Sequence, residues 1–134
     1  MEWITRLDAG ILLFIQDTIR NPVLTPVFMA ITVLGNGAAI WILISLGMAA
    51  SGKTRGTALM CAVALLASLL INNMALKNIV GRIRPYDAIE GLIPLIGKPR
   101  DYSFPSGHTG SSFAAAWVLY RRLPKRLGIP ALAL

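Results

Sequence analysis

The groups able to handle a charged substrate are concentrated in one polar stretch of an otherwise apolar chain. Lys77 and Arg84 are seven residues apart, close to two helical turns, so on a helix that Pro85 then ends both would project from one face. Farther along, Ser106 can cap a new helix, whose free backbone N–H groups favour an anion. His108, the only histidine, follows directly. The spacing predicts a phosphate-binding site.

Each of these groups suits a part of phosphoryl transfer. Two cations neutralise the oxygens of the transferred group, whose charge must be held in the transition state. Ser106 and the N–H of Gly107 donate hydrogen bonds to the same oxygens, and His108 protonates the leaving oxygen. We therefore predict one catalytic residue, His108, and four phosphate-binding residues: Lys77, Arg84, Ser106 and Gly107.

Either half of this pattern also has an ordinary structural explanation. Lys77, Arg82 and Arg84 resemble the basic residues that commonly flank membrane helices. Ser106 could be a helix cap beside an incidental histidine. The joint occurrence of both halves at one membrane face favours the phosphate site. Arg82 projects away from the shared face of Lys77 and Arg84, so we predict that it only flanks the helix.

The same residues carry a family resemblance. Lys77 followed after six residues by Arg84-Pro85, and then Pro105-Ser106-Gly107-His108, resemble the first two motifs of the type 2 phosphatidic acid phosphatase (lipid phosphate phosphatase) superfamily. The resemblance extends over roughly the whole chain in its hydropathy pattern. It implies the same roles at the matching positions.

The resemblance also implies a second histidine, which attacks phosphorus to form a phosphohistidine. In the family this histidine belongs to a third motif, Ser-Arg followed by a histidine and an aspartate. This sequence has no such segment and no second histidine. We therefore expect the nucleophile to lie beyond this chain, and residues 1–134 alone to be inactive.

The composition predicts a membrane protein. Hydrophobic residues make up 55% of the chain and charged ones 14%, and charges are absent from residues 21–52, 56–76 and 102–120. Apolar runs of about 18 or more residues are typical of membrane spans, although a soluble all-helical core is the alternative. The net charge of +7 could indicate nucleic-acid binding. However, the basic residues lie at the ends of apolar runs, as in membrane flanks.

These elements predict an all-α integral membrane helical bundle of one domain over residues 1–134. Residues 1–20 have the pattern of an amphipathic helix lying in the interface. A short helix and a break at Gly35 follow, and then about three spans, near residues 37–50, 57–80 and 105–120. Asn72 and Asn73 should face other helices, where they find partners.

The ends of the spans predict a topology and a boundary. Basic residues at 53–55 and 121–126 are separated by two crossings and share a side, which the positive-inside rule makes cytoplasmic. His108 then faces the periplasmic or extracellular side, and we expect a bacterial inner membrane. Residues 127–134 begin an apolar run too short to cross, so we expect the domain to continue beyond this chain.

Three functions are compatible with this pattern. The first is a membrane phosphatase acting on a lipid phosphate or diphosphate, such as a phosphatidate, phosphatidylglycerophosphate or polyprenyl diphosphate. The second is a relative of the vanadate-dependent haloperoxidases, against which the membrane spans argue. The third is a non-catalytic protein that binds anionic headgroups. The six acidic residues form no ligand cluster with His108, so we expect neither metal nor cofactor. The expected partners are a lipid phosphate substrate and membrane lipids.

Overall fold

Helices make up 73% of the computed structural model, which describes residues 2–133 and contains no strand within them. The elements in chain order are α1 (Glu2–Phe14), α2 (Leu24–Gly35), α3 (Ala39–Ala49), α4 (Arg55–Ser68 with its extension), α5 (Pro85–Ala88), α6 (Gly107–Arg122) and α7 (Lys125–Ala131). The predicted all-α fold class is confirmed.

The predicted N-terminal helix is present and is tied to a distant loop. After α1 the chain continues as a π-helical turn, Ile15–Ile19, and leaves the helix at Arg20. The Gln16 side chain donates to the Gly91 carbonyl at 3.1 Å and accepts from the Ile93 N–H at 2.8 Å. Arg20 donates to the Ile93 carbonyl at 2.7 Å. These contacts hold the loop after α5 against the N-terminal helix.

A sharp break separates α2 from α3. It comes two to three residues after the predicted Gly35, because Gly37 (φ 59°) and Ala38 (φ 60°) both adopt the left-handed conformation. Gly37 takes this conformation at no steric cost, whereas a residue with a Cβ, such as Ala38, rarely does. A helix cannot continue through two such residues, so the chain turns and α3 starts in a new direction.

Helix α4 supplies the long central element of the bundle. Arg55–Ser68 is α-helical, Leu69–Leu76 widens to a π-helix, and Lys77–Val80 returns to α-helical geometry, so the helical path is unbroken over residues 55–80. This agrees with the predicted span near residues 57–80. Gly81 ends the helix in the left-handed conformation (φ 60°), and its N–H donates to the Lys77 carbonyl at 2.9 Å.

The core lies where α3, α4 and α6 meet. Trp41 of α3 is 2% exposed, and its Nε1 donates to the Ser112 Oγ of α6 at 3.0 Å. Small side chains let the helices approach closely. The buried set is Trp41, Cys61, Ala115, Ala116, Leu119 and Ala131.

Two segments are long and apolar enough to cross a membrane. They are Leu24–Ala49, with its internal break, and Arg55–Ala88, and only 6% of the most apolar part of each segment is buried. A core helix of a soluble protein would be mostly buried, so these outward apolar faces support membrane association. The third predicted span, α6, has sixteen residues and is not among these two segments. Its length is about 24 Å, short of a hydrocarbon core of about 30 Å.

Candidate functional site

Lys77 reaches the site from the last turn of α4. Its side chain is 8% exposed, and in the part of the chain that the structure describes its one polar partner is the Asp101 carboxylate. A buried ammonium is stable only beside an acceptor that replaces its lost hydration. The ion pair with Asp101 provides that acceptor.

Arg84 reaches the same place by a different route from the predicted one. The prediction that Lys77 and Arg84 share a helical face is wrong, because Gly81 ends the helix and Arg84 is extended (φ −69°, ψ 141°). The residue before a proline is pushed toward this conformation. Pro85 does not end a helix either; it is the first residue of α5, the position where its missing N–H costs nothing.

The second half of the site is the start of α6, as predicted. Ser106 is the N-cap, and its Oγ accepts a hydrogen bond from the Thr109 N–H at 3.3 Å. A helix leaves its first N–H groups without internal partners. Within residues 2–133 the N–H groups of Gly107 and His108 have no hydrogen-bond partner, so they remain able to bind an anion.

Two asparagines of α4 join the halves together. The Asn72 amide donates to the Ser106 carbonyl at 3.0 Å. Asn73 packs against Gly107: a Cβ added to Gly107 would lie 3.1 Å from the side-chain amide of Asn73. Asn72 also packs closely against Gly110. Both asparagines therefore face another helix, as predicted, and they fix the start of α6 beside the end of α4.

His108 lies against the last turn of α2. Its Nε2 lies 3.3 Å from the Thr32 carbonyl oxygen near the end of α2. The ring packs on Gly35, where an added Cβ would lie 2.5 Å from His108 Cδ2. A residue with a side chain at position 35 would have to push the imidazole aside.

Asp101 bridges the two predicted cations. One carboxylate oxygen pairs with the Lys77 ammonium, and the other lies 2.5 Å from an Arg84 terminal nitrogen. Arg84 Nε also donates to the Asp101 carbonyl at 3.0 Å. The hydrogen bond from Lys77 is the largest cause of a lowered Asp101 pKa; Arg84 adds to it, and partial burial opposes both. Asp101 therefore carries its negative charge at neutral pH.

All five predicted residues line one cavity of about 850 Å³. Asp101 and Asn73 line the same end, and the remaining walls are mainly apolar residues of α3 and α4. Arg82 is absent from the lining and instead pairs with Asp8 of α1. Among the described residues, no three His, Cys, Asp or Glu side chains are grouped to hold a metal ion.

Sequence reasoning missed Asp101, Thr32 and Gly35. A carboxylate five residues before the Ser106 cap was the available signal for Asp101, because a nearby anion is the natural partner of two clustered cations. Nothing in the pattern of Thr32 and Gly35 indicates His108 as their neighbour, since Thr32 and His108 are 76 residues apart in sequence.

Comparison with protein families found a match, which covers the part of the chain that contains this site. The family model described as PAP2 superfamily matches residues 57–133, more than half of the chain, and the match includes all five predicted residues. Comparisons with curated proteins and with solved structures found no match. The family points to phosphatase activity on phosphate esters. The chain belongs to the PAP2 superfamily.

Proposed function

We propose that the protein is an integral membrane phosphatase that removes a phosphoryl group from a lipid phosphate or diphosphate. Phosphatidate, phosphatidylglycerophosphate and polyprenyl diphosphate are the candidate substrates. The observation that carries the proposal is the two-part cavity. One end is lined by Lys77, Arg84 and His108, and most of the remaining wall is apolar. A ligand with an anionic head and a hydrocarbon tail matches both parts.

The apolar part is long enough for a lipid chain. Its lining along α4 extends from Ala58 to Leu69, about 16 Å at 1.5 Å per residue, which is about half the thickness of a bilayer core and so the depth that one lipid tail fills. The facing wall includes Ile42 and Leu46 of α3. A lipid lying in this groove would keep its tail among apolar side chains while its phosphate reaches the cations.

The chemical roles follow from the groups at the polar end. Lys77 and Arg84 neutralise the phosphoryl oxygens, and the Ser106 hydroxyl and Gly107 N–H donate further hydrogen bonds to them. His108 protonates the leaving oxygen. The contact with the Thr32 carbonyl occupies His108 Nε2 only weakly at 3.3 Å, so the ring can turn toward a substrate.

The nucleophile of this mechanism comes from outside these residues. We propose a metal-independent phosphohistidine route, as in the family that the motifs resemble. The 134 residues contain one histidine, and it is assigned as the acid. An attacking group must approach phosphorus in line with the leaving oxygen, on the side opposite His108. A second histidine has to be supplied there before turnover occurs.

A binding experiment tests the headgroup and the tail together. We expect dioctanoyl phosphatidate to bind the detergent-solubilised chain saturably, and Lys77→Met to weaken it by tenfold or more, about the worth of one charge-assisted hydrogen bond. Dioctanoylglycerol, which lacks the phosphate, should bind more weakly than the phosphatidate. Isothermal titration calorimetry measures these affinities.

Lys98→Met is the matched control, because Lys98 is exposed and lies 3.9 Å from Asp87 in the loop after α5. Equal losses for Lys77→Met and Lys98→Met would mean that lipid is held by general charge, and the proposal would be wrong. Residues 1–134 should release no phosphate from phosphatidate. Turnover abolished by His108→Ala would contradict the requirement for a second histidine.

A further inference from the structure

Asp101 stands where a phosphoryl group would have to bind. One of its carboxylate oxygens pairs with Lys77 and the other with Arg84. Two oxygens of a bound phosphoryl group would pair with these two cations in the same way. The Lys77 side chain is only 8% exposed, so few directions of approach to its ammonium remain. The carboxylate occupies one of them, on the wall of the cavity.

The carboxylate can leave without dismantling the site. The Asp101 side chain is 50% exposed and lies in a non-helical loop. The backbone beside it is anchored, because the Ser103 N–H donates to the Arg82 carbonyl at 2.9 Å. Arg84 Nε keeps its separate hydrogen bond to the Asp101 carbonyl oxygen. Rotation of the Asp101 side chain alone would therefore free both cations and leave Arg84 in position.

We propose that Asp101 is an internal occupant of the anion site, which a phosphate-bearing ligand must displace from Lys77 and Arg84. This inference rests on the proposed function, since it concerns the same site. An internal competitor leaves only a fraction of the molecules able to bind a ligand. The apparent association constant of any ligand is the intrinsic constant multiplied by that fraction. Asp101 thereby sets the affinity of the site for anionic headgroups.

The test measures methyl phosphate, a headgroup without a tail, by titration calorimetry on the full chain in detergent. Asp101→Asn keeps the side-chain shape but removes the charge, and we expect it to bind methyl phosphate about tenfold more tightly or better than the wild type. Asp87→Asn, the matched control in α5, should bind methyl phosphate within about twofold of the wild type, because the ion pair of Asp87 with Lys98 is exposed. Unchanged or weaker binding by Asp101→Asn would overturn the inference, since Asp101 would then serve to hold the cations.

A second ligand separates displacement from repulsion. Dimethyl phosphate carries one charge where methyl phosphate at pH 8 carries nearly two. If Asp101 leaves, Asp101→Asn improves both affinities by nearly the same factor. If Asp101 stays and repels, the gain for methyl phosphate is about the square of the gain for dimethyl phosphate, because Coulomb energy scales with ligand charge. That result would overturn the inference.

Lys77→Met distinguishes failure of the inference from failure of the proposed function. In the double variant, Lys77→Met should abolish the tight binding of methyl phosphate that Asp101→Asn produces. Tight binding that survives it would place the ligand elsewhere and overturn the inference. Lys77-dependent binding in the wild type without a gain in Asp101→Asn overturns the inference alone. If neither the wild type nor Asp101→Asn binds methyl phosphate, the inference and the proposed function both fall.

Discussion

Arg84 makes two contacts with Asp101 that depend on the shape of its guanidinium group. Its Nε donates to the Asp101 carbonyl oxygen at 3.0 Å while a terminal nitrogen reaches the Asp101 carboxylate at 2.5 Å. The planar guanidinium makes both contacts at once, and a lysine ammonium on a flexible stem cannot reproduce this fork. One edge thus anchors the side chain, and the other is available to a ligand once Asp101 moves.

We expect Arg84→Lys to weaken dioctanoyl phosphatidate binding by tenfold or more, because a charge-assisted hydrogen bond and its orientation are lost. Arg82→Lys should change little, since Arg82 makes an exposed ion pair with Asp8, a kind of contact worth about 0–1 kcal/mol. Titration calorimetry measures the phosphatidate affinity of both variants, which carry the same arginine-to-lysine change two residues apart. Equal losses would contradict the assignment of Arg84 to the site.

At the scale of elements, the site depends on how closely α6 approaches α4. Gly110 makes this approach possible: an added Cβ would collide with the Asn72 amide and lie 3.1 Å from Ser68 Oγ. The same Asn72 amide donates to the Ser106 carbonyl. One glycine therefore controls both the helix packing and the position of the Ser106 cap.

Gly110→Ala should destabilise the protein relative to Gly47→Ala, a helical glycine of α3 with nothing within 4 Å of an added Cβ. Both variants gain helix propensity, roughly 1 kcal/mol. Only Gly110→Ala overpacks a contact, at a cost of roughly 1–3 kcal/mol. Thermal unfolding in detergent should therefore separate the two variants by that amount. Equal stability would show that α4 and α6 are not held at this distance by Gly110.

At the scale of the whole molecule, the basic clusters and the site lie at opposite ends of the bundle. Asn72 of α4 contacts Ser106 at the start of α6, and Ser68, one turn earlier in α4, lies beside Gly110, so the two helices are antiparallel. Residues 53–55, at the start of α4, and residues 121–126, at the end of α6 and the start of α7, therefore share one end. This arrangement is the one that the charge pattern of the sequence predicts.

We predict that residues 53–55 and 121–126 are cytoplasmic and that His108 faces outside, because of the positive-inside rule. Thr54→Cys and Tyr102→Cys, each in a Cys61→Ala background, test this with a membrane-impermeant maleimide on intact cells. The cysteine at 102 should react, and the one at 54 should react only after permeabilisation. The reverse pattern would contradict the predicted topology.

Features that depend only on the local order of residues could be predicted from the sequence. The hydropathy pattern predicted the helical segments, because an apolar run surrounded by lipid must satisfy its backbone hydrogen bonds within a helix. The start of α6 was readable because Ser106 caps through its own neighbour Thr109. The five predicted residues were recognisable from type and spacing, and they do line one cavity.

How those residues meet depends on contacts between segments that are distant in sequence. Helical periodicity placed Lys77 and Arg84 on one face, but Gly81 ends the helix between them, and Asp101 brings them together instead. The contact of His108 with Thr32 joins residues far apart in sequence. Such contacts are set by where the chain turns and by which charges come within reach. Residue spacing does not encode them, because spacing predicts a shared face only while one helix continues.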